Sequence, residues 1–167
     1  MILGILSDTH NHLPEARRAL ETLLRHGAQH FVHCGDAGED VVDLISATCL
    51  EHGLRAHIAT GNCDRIPRGH PPPCPAGVER GDRLDFTLAG QSCAVLHGHD
   101  ERALQQALGS GTLAYLFIGH SHARLDEHIG PTRVLNPGSC ARPRGGPPTV
   151  IRLDLATDDA RWVPVTD

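Results

Sequence analysis

Five short apolar runs in this chain each end in residue types able to hold a metal ion. Residues 2–6 lead to Asp8 and His10, and residues 31–34 lead to Asp36. Residues 56–60 lead to Asn62, 93–96 to His97, and 114–118 to His120 and His122. Mixed oxygen and imidazole donors suit Mn, Fe, Zn, Co or Ni better than Ca or a thiolate-loving metal. A lone histidine after a strand is ordinarily a surface or hydrogen-bonded residue, whereas five strand ends with the same chemistry point to a shared site. Asp8 and His10, like His120 and His122, stand at i, i+2, which aims both side chains the same way if strand geometry continues. Gly35, Gly61, Gly98 and Gly119 flank these residues and fit sharp exits and close backbone approach.

Residues this far apart meet only if the strands lie side by side, since ligand sites in open α/β sheets form beyond the carboxyl ends of strands. The pattern predicts such strands. A helix opened by Pro14 places Ala16, Ala19, Leu20, Leu23 and Leu24 on one face and closes at Gly27. A second carries Val41, Val42, Ile45 and Cys49 and is followed by Gly53. The opening thus reads β-α-β-α-β, the signature of a parallel, helix-covered sheet. Residues 66–77, with five prolines and two glycines, read as a surface loop. Segments 82–89 and 91–96 read as a β-hairpin turning at Gly90-Gln91. A short helix at 100–108 follows, with Asp100 as its cap and Leu104, Ala107 and Leu108 inward. Strands are expected at 114–118, 124–129, 132–135, 148–155 and 160–165, making the second half mostly antiparallel. Two sheets packed face to face with helices outside accommodate both halves in one domain spanning 1–167.

Composition narrows the partners. A formal charge of -5 argues against a broad basic surface for gripping duplex nucleic acid. Every basic residue is Arg, which says nothing about mechanism. The cysteines at 34, 49, 63, 74, 93 and 140 are scattered without a CxxC and read as reduced thiols. The opening Met1-Ile2-Leu3-Gly4-Ile5-Leu6 lacks a charged leader and meets Asp8 too soon for a secretory segment. No apolar run is long enough to span a bilayer. The expectation is a soluble, cytoplasmic protein with no membrane partner, and room remains for a homo-oligomer.

Asp8-Thr9-His10, Gly35-Asp36, Gly61-Asn62-Cys63-Asp64, His97-Gly98-His99 and Gly119-His120-Ser121-His122 occur in the order of the calcineurin-like metallophosphoesterases. The compact length, Asn-Cys-Asp in the third motif and Asn136-Pro137-Gly138-Ser139 resemble the small YfcE-type phosphodiesterase branch. This resemblance implies a four-layer α-β-β-α sandwich with two facing mixed β-sheets. It implies two divalent metal ions, manganese foremost, with Ni, Zn, Fe or Co as alternatives. Asp8, His10 and His122 are then ligands of one metal, Asn62, His97 and His120 of the other, and Asp36 bridges. The activity implied is hydrolysis of a small phosphodiester by in-line attack of a hydroxide shared by metals about 3.5–4 Å apart. Two dications bring roughly +4 and two aspartates remove about 2, leaving a site that attracts phosphate oxygens. The main rival is a protein-binding scaffold, because the same fold serves as one in a eukaryotic trafficking complex resembling this branch. A mononuclear structural metal protein poorly explains a bridging Asp with ligands from both halves.

Many superfamily members carry His after the third-motif Asn, where this chain has Cys63. A thiol is a weaker hydrogen-bond donor and cannot present an imidazolium charge. Asn62, Cys63 and His99 are the candidate catalytic groups, and with Arg142 the candidate substrate contacts. Cys63 as a nucleophile is not favoured, because the metals already supply a hydroxide. His99 and Arg142 have bland readings as loop-shaping and surface residues, and Asp64 reads either as orienting the third-motif loop or as a solvated turn residue. Asn136-Pro137-Gly138-Ser139 reads as a structural turn near the site. Residues His12, His26, His30, His33, His52, His57, His70 and His128 match no ligand position and read as structural, and Cys34 and Cys93 as small core residues.

Overall fold

The computed structural model describes residues 1–64 and 74–165. In chain order these form β1 (Ile2–Leu6), α1 (Leu13–Arg25), β2 (His30–His33), α2 (Glu39–His52), β3 (Ala56–Ala59) and β4 (Val78–Gly81). Then follow β5 (Arg83–Leu88), β6 (Gln91–Leu96), α3 (Glu101–Gly109), β7 (Tyr115–Phe117), β8 (Arg124–Ile129), β9 (Thr132–Pro137), β10 (Thr149–Asp154) and β11 (Asp159–Pro164).

Two mixed sheets result. One has the order β11-β10-β1-β2-β3-β4, the other β5-β6-β7-β9-β8. β1, β2, β3 and β4 run parallel, and β10 pairs antiparallel with β1. Between the sheets, Leu3, Ile5, Val32 and Cys34 meet Val95, Phe117 and Leu135 in a continuous apolar core. The outer face of the first sheet presents Phe31, Ala56 and Ile58 to Leu20, Leu23, Val41 and Ile45 of α1 and α2. The outer face of the second presents Ala94, Leu96, Leu116 and Val134 to Leu104, Ala107 and Leu108 of α3. The four layers are therefore helices, sheet, sheet and helix. Strands buried on both faces explain why the runs read as uniformly apolar rather than alternating.

The helix boundaries follow from local chemistry. Pro14 sits in the first turn of α1, where its missing N–H costs nothing. Asp100 caps α3 by accepting from the N–H groups of Arg102 and Ala103 at 2.9 and 3.1 Å. Gly53 ends α2 in the left-handed conformation.

Three expectations need correction. The hairpin turns at Ala89-Gly90, one residue earlier than expected, because Leu88 pairs with Gln91 and both turn residues hold positive φ. A two-residue turn with that geometry matches the right-handed strand twist. The second sheet is parallel at its centre, where β6 pairs with β7 and β7 with β9. The α3 crossover carries the chain back to the same end before β7 begins, which forces parallel pairing. β4 was not expected as a strand. Of the Pro-rich loop expectation, 66–73 lies outside the described residues, while 74–77 leads into β4. No helix among the described residues is long and apolar enough to cross a membrane.

Candidate metal centre

The five strand ends converge, but not through extended geometry. β1 stops at Leu6 and β7 at Phe117, and the residues beyond turn sharply. Asp8, His10, Asp36, His120 and His122 all adopt φ between 47° and 64°. Non-glycine residues rarely enter this left-handed region, and Asp and His are among the more tolerant. The i, i+2 pairs therefore meet through backbone strain rather than strand alternation. Such strain persists where surrounding structure over-determines it. Here the exit of β1 is stitched to that of β2 by three backbone bonds. The N–H groups of Asp8, His10 and Asn11 donate to the carbonyls of Gly35, Asp36 and Ala37 at 3.1, 2.8 and 2.8 Å.

Close approach accounts for two of the flanking glycines. A Cβ on Gly35 (φ +98°) would stand 2.6 Å from Nδ1 of His97. One on Gly61 would stand 2.0 Å from Oδ1 of Asp36.

Among the described residues, three groups have ligand-type atoms within 4.8 Å of one another: Asp8, His10 and His122; His10, Asp36 and Cys63; and Asp8, Asp36 and His97. Asp8, His10 and Asp36 each belong to two of these groups, so the three form one connected cluster. Asn62 joins through Oδ1, 3.1 Å from Nε2 of His97. His120 is exposed and enters no such group; its ring lies 5.1 Å from that of His97, and its N–H donates to Oδ2 of Asp8 at 3.2 Å. Cys63, expected only near the leaving group, is the one group member not foreseen as a ligand-type neighbour.

Hydrogen bonding fixes which ring nitrogens face the centre. Nδ1 of His97 donates to the Cys34 carbonyl, and Nδ1 of His122 to the Arg142 carbonyl, both at 2.8 Å. The Nε2 atoms are left to point inward, as in histidine metal ligands whose outer nitrogen is tied to a carbonyl. Nε2 of His122 then lies 3.1 Å from Nε2 of His10 and 3.3 Å from Oδ1 of Asp8. That carboxylate oxygen is buried with no hydrogen-bond partner among the described residues. Converging acceptors around an orphaned carboxylate oxygen fit a cation.

The charges respond accordingly. Burial pushes the Asp8 carboxyl up, against the bond from the Ser7 hydroxyl. Burial also raises Asp36, but bonds from His97 and the Cys63 N–H prevail and hold it well below the usual carboxylate range. His97 moves up despite its burial because Asp36 and the Cys34 carbonyl favour its charged form. Burial lowers His10 and His120. The Asp36 carboxylate beside Cys63 raises that thiol, which disfavours the thiolate a cysteine nucleophile needs.

Residues outside the candidate ligand set support the centre. Ser139 donates to the Asp8 carbonyl at 2.8 Å, and Asn136 donates to the Gly119 carbonyl at 2.8 Å and to Ser121 at 3.1 Å. The Asn136-Pro137-Gly138-Ser139 turn therefore holds the Asp8 and His120 loops. Asp64 accepts from the N–H groups of Gly38 and Gly61 at 2.9 and 2.8 Å, which makes it an orienting residue. Arg80, buried behind it, pairs with Glu39 at 2.9 Å. Missing β4 in the sequence meant missing Arg80. His99 is exposed, with its ring 5.4 Å from that of His97. Arg142 is exposed, and its charge helps lower His10. His70 lies outside the described residues.

The model of the calcineurin-like phosphoesterase superfamily domain matches residues 1–158. The chain belongs to that superfamily. It is 31% identical to phosphodiesterase MJ0936 of Methanocaldococcus jannaschii over 167 residues, covering 98% of each protein. Among solved structures it resembles an archaeal phosphodiesterase at 26% identity, with a TM-score of 0.80 over 98% of this chain and 99% of that one. The YfcE phosphoesterase of E. coli matches with a TM-score of 0.65 at 24% identity, over 99% and 100% of the two chains. A zinc-complexed Vps29 of Entamoeba histolytica shares the fold at 17% identity, with a TM-score of 0.66 over 99% and 100%.

Proposed function

We propose that the chain is a phosphodiesterase dependent on two divalent metal ions, manganese foremost, acting as one domain on a small phosphodiester. Asp8, His10 and His122 would hold one ion, Asn62, His97 and His120 the other, with Asp36 shared. Ions held there supply a nucleophile from water at neutral pH and positive charge against the phosphoryl oxygens. The chain's own residues do the rest. The Cys34 and Arg142 carbonyls keep the Nε2 atoms of His97 and His122 inward. The Cys63 N–H, at 2.8 Å, holds the Asp36 carboxylate in one orientation. His99 and Arg142 stand at the open side as substrate contacts. The Cys63 thiol, with no imidazolium in its place, favours esters whose leaving groups need little protonation.

The observation carrying this reading is Oδ1 of Asp8, buried without a donor among the described residues and faced by the Nε2 atom of His122. Burying an unpaired carboxylate oxygen is costly unless a cation meets it.

The test is metal content per chain and hydrolysis of bis(p-nitrophenyl) phosphate with Mn, Ni or Zn, before and after EDTA, for wild type, Asp36→Asn and His97→Ala. About two ions per chain are expected. Both substitutions should cut metal-dependent turnover by at least about 100-fold, above the usual range for outer-sphere partners. Unchanged activity in both variants would sink the assignment. Tight metal binding with no hydrolysis of any phosphoester would favour the scaffold alternative.

A further inference from the structure

His33 lies on β2, fully buried, and touches two of the ligand-bearing loops. Its Nε2 is 3.0 Å from Oγ1 of Thr9, the residue between Asp8 and His10. Its Nδ1 is 3.2 Å from the backbone nitrogen of Gly35, the residue before Asp36.

The direction of each bond follows from counting protons. The Thr9 hydroxyl has one proton and donates it to the Ala37 carbonyl at 3.1 Å. Its oxygen must then accept from His33, so the imidazole proton sits on Nε2. Nδ1 keeps its lone pair, which the Gly35 N–H meets. A second proton on Nδ1 would face that N–H donor to donor in a site sealed from water. Burial acts in the same sense and depresses the His33 pKa to about 3.

These bonds lie just inside the three backbone bonds joining the β1 and β2 exits. Asp8, His10 and Asp36 all need strained backbone there, and such strain lasts only under tight constraint. An apolar ring in place of His33 would fill the same space and supply neither bond.

We propose that His33 is a positioning residue, a neutral brace locked as its Nε2–H tautomer, which fixes the Asp8–His10 loop against the Asp36 loop and so pre-forms the metal-binding geometry. The inference rests on the metal-dependent reading above. Asparagine at 33 can keep the bond to Gly35 and glutamine the bond to Thr9, whereas phenylalanine keeps neither.

The experiment is calorimetric titration of EDTA-treated protein with Mn2+, for wild type, His33→Phe, His33→Asn, His33→Gln and Thr9→Val, with circular dichroism to establish folding. Nitrogen NMR of the histidine rings reads the tautomer directly. H33F should weaken Mn2+ binding by about 10–100-fold, the range for outer-sphere partners of metal ligands. H33N and H33Q should lose less. H33F and T9V should combine non-additively, because they cut the same link. If H33F does not fold, H33N, H33Q and T9V still decide, since each removes one arm. A histidine that merely fills the core would lower Tm in these variants without moving Mn2+ affinity, and that outcome overturns the brace. An Nδ1–H tautomer overturns it as well. A wild-type chain that binds no divalent ion would bring down the functional reading together with the brace, whereas normal wild-type binding with unaffected variants removes the brace alone.

Discussion

Gly61→Ala adds one methyl group and replaces no proposed ligand, yet its contact with Asp36 should disable the site. Gly61 does not hold positive φ, so alanine is acceptable to the backbone and only space is at issue. The new Cβ would stand 2.0 Å from Oδ1 of Asp36, 2.3 Å from its backbone nitrogen and 2.8 Å from its Cγ. Ordinary contact begins near 3.4 Å, so carboxylate and loop must separate by about 1.4 Å. Oδ1 is also the acceptor for the Cys63 N–H, so the movement breaks the bond that orients Asp36. Overpacking of this kind costs about 1–3 kcal/mol, a fall in Tm of roughly 2–12 °C for a chain of this size. The larger effect is on chemistry, because a misplacement of about 1 Å in a catalytic arrangement costs about 10²-fold. The assay is Mn2+-dependent hydrolysis of bis(p-nitrophenyl) phosphate beside a thermal melt of the EDTA-treated chain. Turnover falling about 100-fold with a modest drop in Tm is the expected pair. A variant that hydrolyses within twofold of wild type would refute the claim that Asp36 is held where it stands.

Cys63→His should raise turnover of alkyl phosphodiesters more than that of aryl ones, flattening the dependence of rate on leaving-group pKa; an equally steep dependence in both proteins would count against a leaving-group role for position 63. His30 is buried against His57, 2.8 Å away, and burial lowers its pKa to about 4. A histidine with a depressed folded pKa contributes stability that is full above its unfolded value near 6.5 and is lost as pH falls toward 4. The depression corresponds to roughly 3 kcal/mol, so melts of the EDTA-treated chain should steepen between pH 6.5 and 4, and His30→Phe should shallow that slope. An unchanged slope would show that His30 charges elsewhere or not at all.

What could be read from the sequence divides along physical lines. The apolar runs that became β1, β2, β3, β6 and β7 were legible because strands buried on both faces leave little room for polar residues. α1 and α2 were legible from spacing and from Pro14, Gly27 and Gly53. The site residues were legible as chemistry at strand ends, but their geometry was not. Nothing in Asp8-Thr9-His10 announces left-handed backbone, and continued strand alternation gave the right convergence for the wrong reason. β4 was hidden because Val78-Glu79-Arg80-Gly81 follows a Pro-rich stretch and offers one apolar side chain. With it went Arg80, and the parallel central pairings were hidden because strand spacing alone does not show that α3 returns the chain to the start of the sheet. His33 showed no ligand spacing, since it acts through Thr9 and Gly35, whose closeness exists only in three dimensions.

The left-handed backbone at Asp8, His10, Asp36, His120 and His122 also bears on how such a protein ages under mutation. At each of these positions glycine would relieve about 1–2 kcal/mol and remove a side chain of the site in the same step. At Asp8 and Asp36 that relief is offset, because the buried carboxylates accept from the His120 and Cys63 N–H groups, which glycine would leave without an acceptor. The same side chains that strain the backbone therefore also hold the neighbouring loops in place.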